Sequence, residues 1–171
     1  GQRVLVLDAD LGLANLDVVL NLVPKITLHD VFTGKAALED AIVPAPGGFS
    51  VLLAGSGLVE YSRLTPEVRD QLLGVIRVVA PRFDRILLDT GAGISDVVLF
   101  AVSLADEVAL VVTSEPTSLT DAFALTRILK RNNYGGKLHA LVNMADSLES
   151  ARKVYQRFAQ AVHKYMQVDI D

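Results

Sequence analysis

The feature that most constrains this sequence is a series of short runs rich in valine and leucine, separated by longer segments with helical spacing. The five runs are Arg3–Leu7, Phe49–Leu53, Arg85–Leu88, Val108–Thr113 and Leu138–Val142. Each is almost wholly apolar rather than alternating, as expected of a parallel strand that is covered on both faces. The order of strands and helices predicts an α/β fold, with a doubly wound, mostly parallel sheet and helices on both faces.

The helices predicted between these strands are Ala36–Ala41, Pro66–Ala80, Ser95–Leu104, Ser118–Asn132 and Leu148–Tyr165. Thr65 is suited to cap the helix that begins at Pro66. Gly135-Gly136 is expected to end the fourth helix in a left-handed turn. The segment Pro44-Ala45-Pro46-Gly47-Gly48 is interpreted as a loop that enters a strand. Because no linker or repeat interrupts the pattern, residues 1–171 are predicted to form a single domain.

Composition excludes several classes of site. The chain has no cysteine, which excludes disulfides, thiol nucleophiles and cysteine-ligated clusters. Its three histidines, His29, His139 and His163, lack the spacing of metal ligands. No apolar run approaches the ~20 residues needed to span a bilayer. A net charge of −4 argues against broad, charge-driven binding of nucleic acid.

Acidic residues follow the first strand, where open parallel sheets bind their ligands. In Asp8-Ala9-Asp10-Leu11-Gly12, an extended chain would place Asp8 and Asp10 on the same side, about 6–7 Å apart. Two such carboxylates favour a hard divalent cation such as Mg²⁺. The alternative is a solvated turn in which Asp10 caps the next helix.

A second polar turn, Asp89-Thr90-Gly91-Ala92-Gly93-Ile94-Ser95, follows the third strand. The aspartate can reach a metal ion, and the glycines can let backbone N–H groups approach phosphate oxygens. Alternatively, the glycines only supply a positive φ. After the fifth strand, Asn143 could read a purine edge, or its amide could satisfy nearby backbone groups.

At these residues the sequence resembles the MinD/ParA-type deviant P-loop ATPases, and among them most closely the flagellar-number regulators FlhG and FleN. The stretches that carry the resemblance are Val6–Val18, Pro46–Phe49, Gly55–Leu58, Leu88–Ser95, Thr113–Ala122 and Leu141–Met144. Together they cover essentially the whole chain in order. The resemblance implies ATP/ADP and Mg²⁺ as cofactors and ATP hydrolysis as the activity of the intact protein.

The resemblance also implies roles for individual residues. Asp10 would position the attacking water, Asp8 would lie near the Mg²⁺ shell, and Asp89 would hold Mg²⁺ through water. Nucleotide contacts are implied for Gly12, Gly91, Gly93, Pro116 and Asn143, with Gly93 close to the γ-phosphate, Pro116 beside the nucleoside and Asn143 facing the adenine.

The partners implied by the resemblance are a second copy of the chain, bound in an ATP-dependent homodimer, and an FlhF-type GTPase or a flagellar transcriptional activator. The biological role would be control of flagellar number and placement, or of the cell-division site. The expected location is cytoplasmic, at the inner membrane only through a C-terminal helix that this sequence does not contain. Nucleic acid is not an expected partner.

The chain lacks the family's phosphate loop, since no Gly-x-x-x-x-Gly-Lys-[Ser/Thr] occurs in it. Gly1 stands in place of an initiator methionine, and Val168–Asp171 resembles the start of a further strand, so we expect an excerpt of a longer protein. The 171 residues alone are expected to be inactive. Without the family's first strand, the strand ending at Asp89 would expose an edge, so the chain is expected to self-associate, to rearrange or to take up a strand from elsewhere.

Two other functions fit an α/β chain of this kind. A phospho-acceptor receiver domain would also bind Mg²⁺ through adjacent acids, but it needs a lysine at the end of a later strand. Here Asn143 follows the fifth strand and Lys137 precedes it. A non-catalytic interaction module is the second alternative.

Overall fold

The computed structural model describes residues 1–11, 14–55 and 63–171. They form two compact units, Gly1–Ala101 and Val102–Asp171. The strands are β1 (Val4–Asp8), β2 (Ile42–Ala45), β3 (Phe49–Leu52), β4 (Arg85–Asp89), β5 (Glu107–Val112) and β6 (Lys137–Val142). The helices are α1 (Leu16–Leu20), α2 (Leu28–Phe32), α3 (Leu38–Ala41), α4 (Pro66–Val79), α5 (Asp96–Ser103), α6 (Pro116–Arg131) and α7 (Leu148–Met166), with a 3-10 turn at Ala80–Arg82.

The first unit is built on a four-stranded sheet in the order β2-β3-β1-β4. Strand β1 runs parallel to both of its neighbours and lies between them. Its inward residues, Leu5 and Leu7, are buried in one apolar cluster with Leu72 and Val79 of α4. Burial on this scale fixes β1, and therefore the position of the residues that follow it.

An ion pair joins the residues that precede β1 and β4. The Arg3 backbone N–H donates to Asp84 Oδ2 at 2.7 Å, and the Arg3 guanidinium donates to Asp84 Oδ1 at 2.9 Å. These hydrogen bonds lower the pKa of Asp84 to about 2. The register then continues without a bulge to the pair Asp8 and Asp89, so the two aspartates lie side by side at the carboxyl ends.

The second unit contains the parallel pair β5 and β6. Helices α6 and α7 pack against each other and against these strands. The apolar residues buried between them include Val108, Leu110, Val112, Leu129, Phe158 and Val162. Thr126 is fully buried as well, and its hydroxyl donates to the Ala122 carbonyl at 2.8 Å.

Strand β2 was not expected, because Pro44 and Ala45 were assigned to a loop. They pair antiparallel with β3 in a hairpin, opposite Ser50 and Phe49. Strand β2 is at the edge of the sheet, and an edge strand tolerates a proline because one side of its backbone needs no partner. The short helices α1 and α2 were also missed, since five residues carry too little periodicity to be recognised.

The expectation that every strand is covered on both faces is wrong for β4 and β5, whose residues alternate in exposure. Leu87 of β4 is 56% exposed and Val111 of β5 is 60% exposed. The reason in the second unit is that α6 and α7 share one face of β5 and β6. Strand β4 is the last strand of its sheet in the described part of the chain, and the predicted self-association through it stays a prediction.

Helix ends were predicted with mixed success. The Thr65 hydroxyl accepts a hydrogen bond from the Val68 N–H at 3.3 Å, which confirms it as the cap of α4. The left-handed residue after α6 is Asn133, with φ 54°, and not Gly135 or Gly136. Asparagine tolerates this conformation because its short polar side chain can bond locally. Among the described residues, no helix combines the length and apolar character needed to cross a membrane.

Candidate functional site

Asp8, the last residue of β1, is a buried carboxylate with only 2% of its surface exposed. Its Oδ1 accepts a hydrogen bond from the Asp10 N–H at 3.2 Å, a local bond between side chain and backbone. The solvated turn is wrong for Asp8, because this residue is buried. The extended spacing of Asp8 and Asp10 stays a prediction.

Burial raises the pKa of Asp8 to about 6, because a buried charge loses its hydration. The negative charges of Asp89 and Asp10 raise it further, while hydrogen bonds from the backbone of Asp10 and Leu16 oppose the shift. The sequence did not predict the hydrogen bond to Asp8 from the backbone of Leu16, the first residue of α1. An ion that relieved this repulsion would bind well at such a carboxylate.

The turn after β4 lies directly against the turn after β1. The Ala9 N–H donates to the Asp89 carbonyl at 2.7 Å, which extends the pairing of β1 and β4 by one residue. The Asp89 side chain is exposed, in contrast to that of Asp8. The two strand tips therefore present one buried and one accessible carboxylate to the same end of the sheet.

The two glycines of this turn have different environments. A Cβ added at Gly91 would lie 2.8 Å from Asp10 Oδ2, although the backbone at Gly91 is outside the left-handed region. Gly93 has φ +96° and open space around it. The interpretation of glycine as a source of positive φ therefore applies to Gly93 and not to Gly91.

The carboxylates of Asp8 and Asp89 suit a hard cation whose remaining ligands are not protein side chains. Oxygen donors at a charged strand end are what Mg²⁺ takes from proteins, together with waters and phosphate oxygens. In residues 1–11, 14–55 and 63–171, no group of three or more histidine, aspartate or glutamate side chains is arranged to hold a metal ion. Asp8 and Asp89 would be the ligands from these two strand tips, and the buried Asp8, repelled by its acidic neighbours, fits such a cation.

The remaining predicted residues lie elsewhere or outside the described part. Pro116 is the first residue of α6, and Asn143 follows β6 directly, so both belong to the second unit. Asn143 Oδ1 accepts a hydrogen bond from the Met144 N–H at 2.9 Å, as the local-backbone alternative predicted. Gly12 lies outside the described residues. In the first unit, Asp8, Asp10, Asp89 and Gly91 are brought together.

Strand β6 does not have the lysine that a receiver domain requires at the end of a later strand. Lys137 is the first residue of β6, at the opposite end from Asn143. A receiver domain needs its lysine at the carboxyl end of the strand. In β6 the lysine is at the amino end instead.

Comparison with known proteins gives consistent matches. The antiactivator FleN of Pseudomonas aeruginosa is 40% identical over 168 residues, which cover 98% of this chain and 60% of that protein. The crystal structure of the cell division ATPase MinD from Pyrococcus furiosus is similar with a TM-score of 0.71 and 31% identity, over 91% of this chain and 68% of that one. The septum site-determining protein MinD from Pyrococcus horikoshii, complexed with Mg-ADP, has a TM-score of 0.71 and 30% identity, over 90% of this chain and 65% of that one.

These matches confirm the predicted α/β fold of the P-loop NTPase type. The chain spans 60% of the length of the FleN relative. No protein-family model matches the sequence.

Proposed function

This chain belongs to the MinD/ParA-type family of ATPases, close to the FleN-type flagellar regulators, and from that membership we propose that it is the switch-bearing part of an Mg-ATP-dependent dimerisation ATPase. In this proposal, ATP joins two copies of the complete protein and hydrolysis separates them. The role is control of flagellar number and placement. A role at the division site is the alternative within the same family.

The observation that carries the proposal is the pairing of Asp8 with Asp89 at two adjacent strand tips, with the Asp10 N–H bonded to the Asp8 carboxylate. Enzymatic phosphoryl transfer depends mainly on positioning and on charge stabilisation. In the proposed arrangement Asp8 and Asp89 would hold Mg²⁺, and Asp10 would orient the attacking water. When bound, Mg²⁺ neutralises charge on the phosphate oxygens.

The nucleotide contacts proposed for the remaining residues follow from the family resemblance. Gly93 lies in the turn that follows β4, where backbone N–H groups would meet phosphate oxygens, and Gly12 is proposed for a phosphate contact as well. Pro116 would flank the nucleoside. The Asn143 amide N–H would donate to the adenine, while its carbonyl oxygen accepts from Met144.

The proposed partners rest on one relative's name and on the family resemblance. FleN of Pseudomonas aeruginosa is an antiactivator, which supports a transcriptional activator, here a flagellar one, as the regulated partner. An FlhF-type GTPase is a second partner, proposed from the resemblance alone. For the complete protein we propose peripheral attachment to the inner membrane.

The central test is Asp10→Ala in the complete encoded protein. ATP turnover should fall by about a hundredfold, because a misplaced water loses the oriented attack. The ATP dissociation constant should change by less than about threefold. Dimers should persist in ATP, as measured by light scattering. The matched control is Asp70→Ala, which removes an exposed carboxylate from α4. Unchanged turnover in Asp10→Ala would overturn the role of Asp10.

A second test uses the 171 residues alone. They contain no glycine-rich loop with its lysine, and that loop supplies the main grip on the β- and γ-phosphates. Calorimetry should therefore detect no micromolar binding of ATP, and phosphate release should stay at background. Micromolar affinity would show that the two switch turns bind nucleotide without such a loop.

A further inference from the structure

Gly91 is crowded by one particular side chain. A Cβ at this position would lie 2.8 Å from Asp10 Oδ2, 3.0 Å from Asp10 Cγ and 3.3 Å from Asp10 Oδ1. Non-bonded carbon and oxygen atoms pack at roughly 3.5 Å, so the carboxylate would have to move by about 0.5–1 Å to admit a methyl group. The absence of a side chain at residue 91 therefore defines where the Asp10 carboxylate lies.

The backbone does not explain the glycine. Its φ is outside the left-handed region, unlike that of Gly93 in the same turn at +96°. A left-handed backbone is therefore not what calls for a glycine at position 91. Among the described residues, the three atoms nearest to the added Cβ all belong to the Asp10 carboxylate.

The contact links two turns that are already joined through their backbones. Asp8 and Asp89 are register partners, and the Ala9 N–H donates to the Asp89 carbonyl at 2.7 Å. The Asp10 N–H donates to Asp8 Oδ1, and the Asp10 carboxylate lies against Gly91. Asp10 therefore contacts both turns.

We propose that Gly91 is a positioning residue, which leaves room for the Asp10 carboxylate against the turn after β4 and so sets the place of the water that Asp10 orients. The catalytic part of this inference rests on the proposed function. The steric part depends on the contact alone. A direct bond from the Gly91 backbone to phosphate would be a different role, and it predicts a loss of nucleotide affinity instead.

The steric part is tested with Gly91→Ala in the 171-residue chain. The ¹³Cγ chemical shift of Asp10 should move, while the far-ultraviolet circular dichroism and the thermal midpoint stay close to those of the parent. Gly135→Ala is the matched control, because a Cβ there meets nothing within 4 Å and the φ is also outside the left-handed region. An unmoved Asp10 resonance in Gly91→Ala would overturn the proposal, whatever the activity of the protein.

The catalytic part is tested in the complete encoded protein. Gly91→Ala should lower kcat by about tenfold to a hundredfold with an unchanged ATP dissociation constant, since a displacement of about 1 Å can cost up to ~10²-fold. In an Asp10→Ala background the same substitution should have no further effect on kcat. An equal fall in that background, or a loss carried by ATP affinity, would overturn the positioning role.

The two failures are distinguishable. If Asp10→Ala alone leaves turnover unchanged, the proposed function of Asp10 fails, while the Asp10 resonance still reports on the contact with Gly91. If Asp10→Ala abolishes turnover and Gly91→Ala does not change it, the proposed function stands and the positioning role of Gly91 is wrong.

Discussion

The two units of the chain bury polar groups in different ways. In Val102–Asp171 the buried polar residue is Thr126, whose hydroxyl is satisfied by the carbonyl one helical turn earlier. In Gly1–Ala101 it is Asp8, a carboxylate beside two further carboxylates, with its pKa raised to about 6. A hydroxyl satisfied within its own helix costs little. A buried, crowded carboxylate is destabilising unless a proton or a cation relieves it. This contrast identifies the first unit as the place where an ion would be bound.

Crowded glycines show the same contrast. Gly91 in the first unit is crowded by the end of the Asp10 side chain, which can move. Gly136 in the second unit is crowded by the backbone oxygen of Asp106 and by the Tyr134 phenol, and this oxygen cannot move without the main chain that leads into β5. A methyl group should therefore affect activity at one site and folding at the other.

The largest expected effect is on the stability of the second unit. Gly136→Ala should lower the free energy of unfolding by about 3 kcal/mol, because the new Cβ would overlap Asp106 and Tyr134. Urea unfolding followed by circular dichroism measures the change. The neighbouring Gly135→Ala has open space and should stay within about 1 kcal/mol of the parent. Equal losses in the two variants, or a similar loss in Gly91→Ala, would break the distinction between the units.

The next effect concerns the buried carboxylate of the first unit. The pKa of Asp8 in the folded chain, about 6, is above its ordinary value of 3.8, so the folded state binds this proton more tightly than the unfolded state. The resulting stabilisation is complete below about pH 4 and is lost as the pH rises through 6. Asp8→Asn should therefore be more stable than the parent at pH 7 by up to about 3 kcal/mol, with little difference at pH 4.

Both measurements are made in a chelator, so that no divalent cation occupies the site. The control is Asp121→Asn, which changes an exposed carboxylate of α6 in the second unit. Its stability relative to the parent should be the same at pH 4 and pH 7. If the free energy of unfolding of the parent and of Asp8→Asn changed with pH in parallel, the charge of Asp8 would not be what destabilises the first unit.

The smallest effect concerns the proposed nucleoside contact of the second unit. In the complete encoded protein, Asn143→Asp keeps an acceptor for the Met144 N–H but loses the amide donor. The ATP dissociation constant should rise by about fivefold, or about 1 kcal/mol, the scale of one neutral hydrogen bond. Asn132→Ala, at the end of α6, serves as the control. Unchanged affinity in Asn143→Asp would leave Asn143 as a purely local support for the Met144 turn.

Much of the fold was predictable because its signals are local. The parallel strands follow from runs of valine and leucine, and the start of α4 follows from Thr65 and Pro66. Apolar runs and helix caps depend only on neighbouring residues, so they can be recognised without knowing how the rest of the chain folds. They failed where a second strand decided the outcome, as for Pro44, which is tolerated only because β2 is at the edge of its sheet.

For the candidate site, local patterns predicted which residues end the two strands or follow them: Asp8, Asp10, Asp89 and Gly91. The burial of Asp8, the exposure of Asp89 and the contact of Gly91 with Asp10 became known from the folded chain alone. Burial and steric contact arise between segments that are distant in sequence, and no local pattern shows how such segments meet. Arg3 and Asp84, which form an ion pair beside β1 and β4, are 81 residues apart.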